Sequence, residues 1–284
     1  MTLSKFLDPK NDLAFKRIFA TDRNKDILIH FLNDIFARIA DPILEVTFIT
    51  TELEPEIESQ RASAVDIMCK TESGERFIVE MQVARETGFE KRAQFYASKA
   101  YIEQRTSNPK YRDLKEVTFL AIANFQLFRA KTACISHHHI LDIETHQRDL
   151  KDFSFSFIEL SKFHKTAEQL HSITDKWLYF FKHADDTDPK ELAQIIGSDL
   201  IIKRAYDELD RYAWSDDELR AYETSEMHHI SYLATLETAK EEGEAIGIEK
   251  TARKLVGLGI DFESIMKATG LSLEKIEQLE PKLN

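Results

Sequence analysis

Val65-Asp66-Ile67-Met68-Cys69-Lys70, a Ser73-Gly74 turn, and Phe77-Ile78-Val79-Glu80-Met81-Gln82-Val83 form the stretch that decides the fold. Period-2 alternation reads it as a hairpin, with Val65, Ile67, Cys69, Phe77, Val79, Met81 and Val83 on an apolar side. Asp66, Glu80 and Gln82 fall together on the other. A loop centred on Ser73 pairs positions whose numbers sum to 146, which sets Asp66 directly across from Glu80 with Cβ atoms roughly 4.5–5.5 Å apart. A two-residue turn would shift the sum by one and part them onto opposite faces. The polar pattern selects the first register. Like charges facing each other across a ladder repel, so the arrangement makes sense around a cation, and two hard oxygen donors suit Mg²⁺ or Mn²⁺. A hairpin with a solvated outer face is the plain alternative.

Three more segments extend the pattern. Asp8-Pro9-Lys10-Asn11-Asp12-Leu13-Ala14-Phe15-Lys16 opens as a helix, with Asp8 as the expected N-cap and Pro9 as the first helical residue. Asp12 and Lys16 lie four apart on one face, as an ordinary acid–base pair or as functional groups. Phe89 to Gln104 reads as another helix, with Arg92, Tyr96, Lys99 and Glu103 at the spacing of one face. That face is either solvated or a basic surface for phosphate.

Taken in order, the Asp12 helix, Asp66, Glu80-Met81-Gln82 and the Arg92–Tyr101 helix resemble the PD-(D/E)XK nucleases, and within them the recombination-promoting nuclease (Rpn) family of transposases. The likeness runs over most of residues 1–165. It implies an α/β fold, a mixed central sheet flanked by helices, and metal-dependent DNA endonuclease activity with Mg²⁺, or Mn²⁺, as cofactor. Asp66 and Glu80 match the metal-binding acids of that family, and Asp12 is the helix acid that would complete the set. Gln82 stands where the motif has lysine. A neutral amide donates and accepts hydrogen bonds but brings no positive charge, so Gln82 would orient water while Arg92 or Lys99 supplies the missing cation. Lys16, Arg92, Tyr96 and Lys99 are the expected contacts to DNA.

Composition frames this reading. At 284 residues and 43% hydrophobic content the chain can bury a full core. No apolar run approaches a membrane span and the start lacks a signal-peptide core, so no membrane association is expected and the setting is cytoplasmic. Cys69 and Cys134 form no metal-binding pair of the CxxC kind. In His137-His138-His139, adjacent strand side chains point to opposite faces, so at most His137 and His139 could chelate together, and a polar loop or strand edge is the reading.

Charge divides the chain. Residues 185–284 hold 23 Asp and Glu against 12 Lys and Arg, eleven of the twelve net negative charges. The expected organisation is a nuclease-like domain at 1–184 and an acidic all-α appendage at 185–284 that self-associates. Within the appendage, Leu192 to Ile201 reads as one amphipathic helix. Ser215 and Glu218 form a capping box opening a long helix. Gly270 and Ser272 separate two short helices reminiscent of a helix-turn-helix. Glu274, Glu277 and Glu280 outnumber Lys275 and Lys282 there, the wrong sign for a DNA groove. Two other functions compete with the nuclease: an interaction protein that keeps the fold without chemistry, and a DNA-binding regulator acting through the last helices.

Overall fold

The computed structural model describes residues 4–37, 41–53, 63–107 and 110–279. The helix α1, Asp12–Phe19, begins one turn later than the Asp8-Pro9 signal suggests, because Asn11 and not Asp8 caps it, accepting from the Leu13 N–H at 3.0 Å. Asp8 instead closes a turn onto the Lys10 N–H. A second helix, α2, covers Lys25–Phe36 and buries Ile27, Leu28, Phe31, Leu32, Ile35 and Phe36, the stripe its periodicity predicts.

The sheet holds six strands. β1 is Val46–Phe48; a separate two-stranded ribbon follows from β2, Glu52–Leu53, and β3, Ser63–Ala64. By sequence the glutamates of Glu52-Leu53-Glu54-Pro55-Glu56 either form a solvated edge or extend a metal site; Glu54 and Glu56 lie outside the described residues. β4, Ile67–Thr71, pairs antiparallel with β5, Arg76–Gln82. The helix α3, Phe89–Ser107, crosses to β6, Val117–Ala123, which runs parallel to β5. β7, Ile135–His139, and β8, Phe153–Glu159, complete the order β1-β4-β5-β6-β8-β7, with β8 parallel to β6 and β7 antiparallel at the edge. His137 and its neighbours therefore belong to an edge strand, where the His137 Nδ1 lies 2.8 Å from the Ser156 hydroxyl.

Both faces of this sheet are covered. Ile67, Cys69, Phe77 and Val79 pack beneath α1, α2 and α4, Ile173–His183. An aromatic knot of Phe15, Phe19, Phe31, Trp177 and Phe181, with ring centroids mostly 5.2 to 6.0 Å apart, locks α1 onto that layer. On the reverse face Met68, Ile78, Phe119 and Ala121 pack against Phe89, Ala93, Ala97 and Ala100, a small-residue stripe that lets α3 approach closely. The supposedly solvated side of the hairpin is thus a second core. Val65 joins it rather than the Ile67 side, because Asp66 lies at a bend before β4.

The segment 189–209 is two helices, α5 at Pro189–Ile196 and α6 at Leu200–Leu209, not one. Gly197 turns the chain with φ 55°, and Asp199 caps the new helix through the N–H groups of Ile201 and Ile202. Ile195, Ile202, Ala205, Tyr206 and Leu209 are buried in the core that holds α1 and α4. For that reason the compact unit runs through Ser225, past the boundary expected at 184. The chain start is tied in as well, by the Leu7 N–H on the Leu209 carbonyl and the Arg211 N–H on that of Lys5.

α7 is one helix from Asp216 to Gly257, opened by the reciprocal Ser215–Glu218 cap. Residues 226–284 make the second compact unit. In it α8, Phe262–Thr269, ends at Gly270 with φ 71°, and Ser272 caps α9, Leu273–Glu277. Ala252, Ile265 and Ile276 form its small core; Glu280 and Lys282 lie outside the described residues.

Candidate metal and phosphate site

β4 and β5 pair in the register whose positions sum to 146: Ile67 faces Val79, Met68 faces Ile78 and Cys69 faces Phe77. One step outward, Asp66 meets Glu80. The Asp66 N–H donates to the Glu80 carboxylate at 3.3 Å, and the Asp66 carboxylate accepts from the Met81 N–H at 2.7 Å. Glu80 is 7% exposed. Burial raises both carboxyls, Asp66 to about 6 and Glu80 to about 8, and for Glu80 the facing Asp66 adds to the shift. Two acids that resist ionising together are what a divalent ion would relieve.

Gln82 follows on β5 with its carboxamide tied at both ends. Its Nε2 donates to the Ala84 carbonyl at 2.8 Å, and its Oε1 accepts from the Arg92 guanidinium. Arginine only donates, so this pairing fixes which end of the amide is oxygen. One acceptor position of Oε1 is left. Arg92 comes from the first turns of α3, between the rings of Phe89 and Tyr96 at 5.1 and 5.9 Å, and its guanidinium stands 3.6 Å from the Glu80 carboxylate. Its hydrogen bonds go to Gln82 and Glu86, not to Glu80. Positive charge is therefore present beside the neutral Gln82.

The helix α3 runs back along the sheet, since Arg76, at the start of β5, donates to the Ala100 carbonyl and lies 3.7 Å from Glu103. Lys99, seven residues after Arg92, is displaced by roughly 10 Å along the axis. Its ammonium lies 5.1 Å from the Phe95 ring centre. Of the two cations read from the sequence, Arg92 is the one at the carboxylates.

Across the hairpin end lies α1. Asp12 pairs with Lys16 at 2.7 Å, and the charges of both reach the Asp66 carboxyl, Asp12 raising it and Lys16 lowering it. Lys16 and Asp66 line one open cleft of about 660 Å³ with Arg17, Arg23 and Trp214. Arg17 stacks on the Trp214 ring at 4.4 Å and pairs with Glu208 and Glu218; Arg23 also pairs with Glu208. Each of these cations has an acidic partner, so the cleft is not strongly basic.

The donors fit a divalent metal by chemistry: paired hard oxygens, buried at Glu80 and half-buried at Asp66, whose charges oppose each other. They are two rather than three. Among the described residues no cluster of three or more His, Cys, Asp or Glu is arranged to hold an ion. Mg²⁺ is commonly bound by one or two protein carboxylates, with water and phosphate completing its shell.

Three contributors were not legible in the sequence. Glu86 sits in an irregular turn with no periodicity to single it out, while Trp214 and Glu218 are about 200 positions from Lys16 and reach the cleft only because α6 packs against α1.

A mixed six-stranded sheet between helices, with an acid pair where two neighbouring strands meet, is the arrangement of the PD-(D/E)XK class. Residues 9–239 match the family described as PD-(D/E)XK nuclease family transposase, and the chain belongs to that family. No curated protein and no solved structure matches the chain. Among the described residues no helix is long and apolar enough to cross a membrane.

Proposed function

We propose that the protein is a metal-dependent DNA endonuclease of the recombination-promoting type, hydrolysing phosphodiester bonds with Mg²⁺, or with Mn²⁺ in its place. The observation that carries this reading is the pair of half-buried Asp66 and buried Glu80, held face to face by the hairpin register. Asp66 and Glu80 would hold the ion, with Asp12 turning from Lys16 to join them. A divalent ion there would polarise a phosphate oxygen and lower the pKa of water. Gln82 would accept a hydrogen bond from the attacking water through the remaining lone pair of Oε1. Arg92 would bring the positive charge that Gln82 lacks to the scissile phosphate, with Tyr96 packed at its side. Lys16 would contact a neighbouring phosphate in the cleft and Lys99 one farther along α3. The reaction is cytoplasmic in this reading. The exposed Met227, Ile230, Leu233 and Leu236 on α7 are where a second copy would pack.

Plasmid nicking across divalent metals tests the proposal. Cleavage with Mg²⁺ or Mn²⁺ is expected, and both Asp66→Asn and Glu80→Gln should lower it at least a hundredfold, or by about 2.7 kcal/mol or more. Undiminished nicking by either folded variant overturns the assignment. The constrained Gln82 amide favours one other reading, a nuclease fold that binds metal without chemistry. A thermal shift with Mg²⁺ that depends on Asp66, with no nicking by any metal, is its signature.

A further inference from the structure

The turn between β5 and α3 places a third carboxylate at the reaction groups, and neither the family match nor the motif assigns it a role. Glu86 accepts from Nη1 of Arg92, and its other oxygen lies 3.5 Å from Nε2 of Gln82. One side chain thus touches both the cation and the amide that the nuclease reading gives to phosphate and water. Its own side chain is 41% exposed, and it belongs to the irregular stretch between Gln82 and Phe89, where Gly88 adopts φ 83°. Such a segment can let a side chain swing into solvent without moving a strand or a helix.

Arg92 is satisfied only in part. Glu86 takes Nη1 and Gln82 takes Nη2, while Nε is buried and has no hydrogen-bond partner among the described residues. A guanidinium offers its N–H groups as a planar fork suited to two oxygens of one oxyanion. Glu86 uses one prong. A buried N–H without an acceptor is unfavourable, and a tetrahedral phosphate, with more oxygens than a carboxylate, is the anion that would engage the fork more fully.

Resting on the nuclease reading of this site, we infer that Glu86 is a resident stand-in for the substrate phosphate: it holds Arg92 and Gln82 in position, and a DNA backbone phosphate must displace it to occupy the Arg92 fork. Glu86 is then a positioning and gating residue. It keeps the guanidinium at the site when DNA is absent, and it weakens binding by competing for that guanidinium.

The test is binding of a fluorescein-labelled DNA duplex to the full chain, followed by anisotropy in Ca²⁺ so that turnover does not intrude, over a series of salt concentrations. Glu86→Gln is expected to tighten binding about tenfold at 0.1 M salt. It should also steepen the dependence of log K on log salt by about one, since one more phosphate is neutralised. Arg92→Ala should erase both gains in the Glu86→Gln background, and Glu86→Gln with Arg92→Lys should keep part of the affinity gain through the retained charge. Unchanged or weaker binding by Glu86→Gln overturns the inference, as does a gain that survives Arg92→Ala. The nuclease reading is judged separately: loss of nicking in Asp66→Asn beside unaltered binding in Glu86→Gln sinks the gate alone, whereas full nicking by Asp66→Asn sinks the nuclease reading.

Discussion

Two buried glutamates, one near the end of β5 and one at the end of β8, teach what separates a structural acid from a site acid. Glu159 has no exposed surface, yet one of its oxygens accepts from the N–H groups of Leu127 and Phe128 at 2.6 and 2.9 Å and the other meets the Lys162 ammonium at 2.6 Å. Lys162 in turn donates to the Phe128 carbonyl. The arrangement closes on itself and staples the 125–131 turn to the sheet. Glu80, two strands away, has one long bond from the Asp66 N–H, an arginine at 3.6 Å, and another carboxylate facing it. One acid is complete; the other shares a single arginine with a second carboxylate that faces it.

The widest gap between them should appear on removing the charge. Glu159→Gln takes away the partner of a buried ammonium, and breaking such a pair commonly costs about 3–5 kcal/mol. Thermal or urea unfolding should show a large loss, and a change below about 1 kcal/mol would mean that the 125–131 turn does not depend on this acid.

Glu80→Gln should act in the opposite direction. Its folded-state carboxyl is raised from 4.5 to about 8, so between those values the folded protein keeps a proton that the unfolded chain has released. More protons on the folded state mean that stability falls as pH rises through that window. The wild type therefore carries its full penalty above about pH 8, and little of it near pH 4. Glutamine removes the ionisation, and the variant should gain about 1–2 kcal/mol at pH 8.5, with the gain shrinking toward zero as pH is lowered. Denaturant midpoints at the two ends of the range measure it. A gain of equal size at both ends would trace to packing instead.

How far the sequence foretold this contrast differs from residue to residue. The Asp66–Glu80 register was legible because strand parity and loop length are local rules, and a slip of one residue would have put the acids on opposite faces. The stripe of α2 and the Ser215–Glu218 box were legible for the same reason. Burial of this face of the sheet was not, since α3 packs on it through Ala93, Ala97 and Ala100, and alanines carry no strong periodic signal. Arg92 and Lys99 looked equivalent in sequence because helical spacing gives a face but not its direction along the sheet; the Arg76 bond to Ala100 sets that direction. The Asp8-Pro9 signal misled by one turn, because Asn11 competes for the same role and its side chain is the one that reaches a free N–H.

Asp12 gives the smallest effect on stability and the finest test of the comparison, because two roles predict different things for it. As a surface partner of Lys16, with half its side chain exposed, it is worth only a few tenths of a kcal/mol. Asp12→Asn should thus leave the metal-free midpoint within about 0.5 kcal/mol of the wild type. If the pair at Asp66 and Glu80 is completed from α1, the same substitution should shrink the rise in midpoint produced by Mg²⁺. The measurement belongs at pH 8.5, since an ion binds the ionised pair and at pH 6 must displace the proton that Glu80 retains. A variant with unaltered metal-free stability and a diminished Mg²⁺ shift makes Asp12 a ligand in waiting, released from Lys16 when the ion arrives. An undiminished shift leaves it a helix-surface acid and confines the centre to the two hairpin carboxylates.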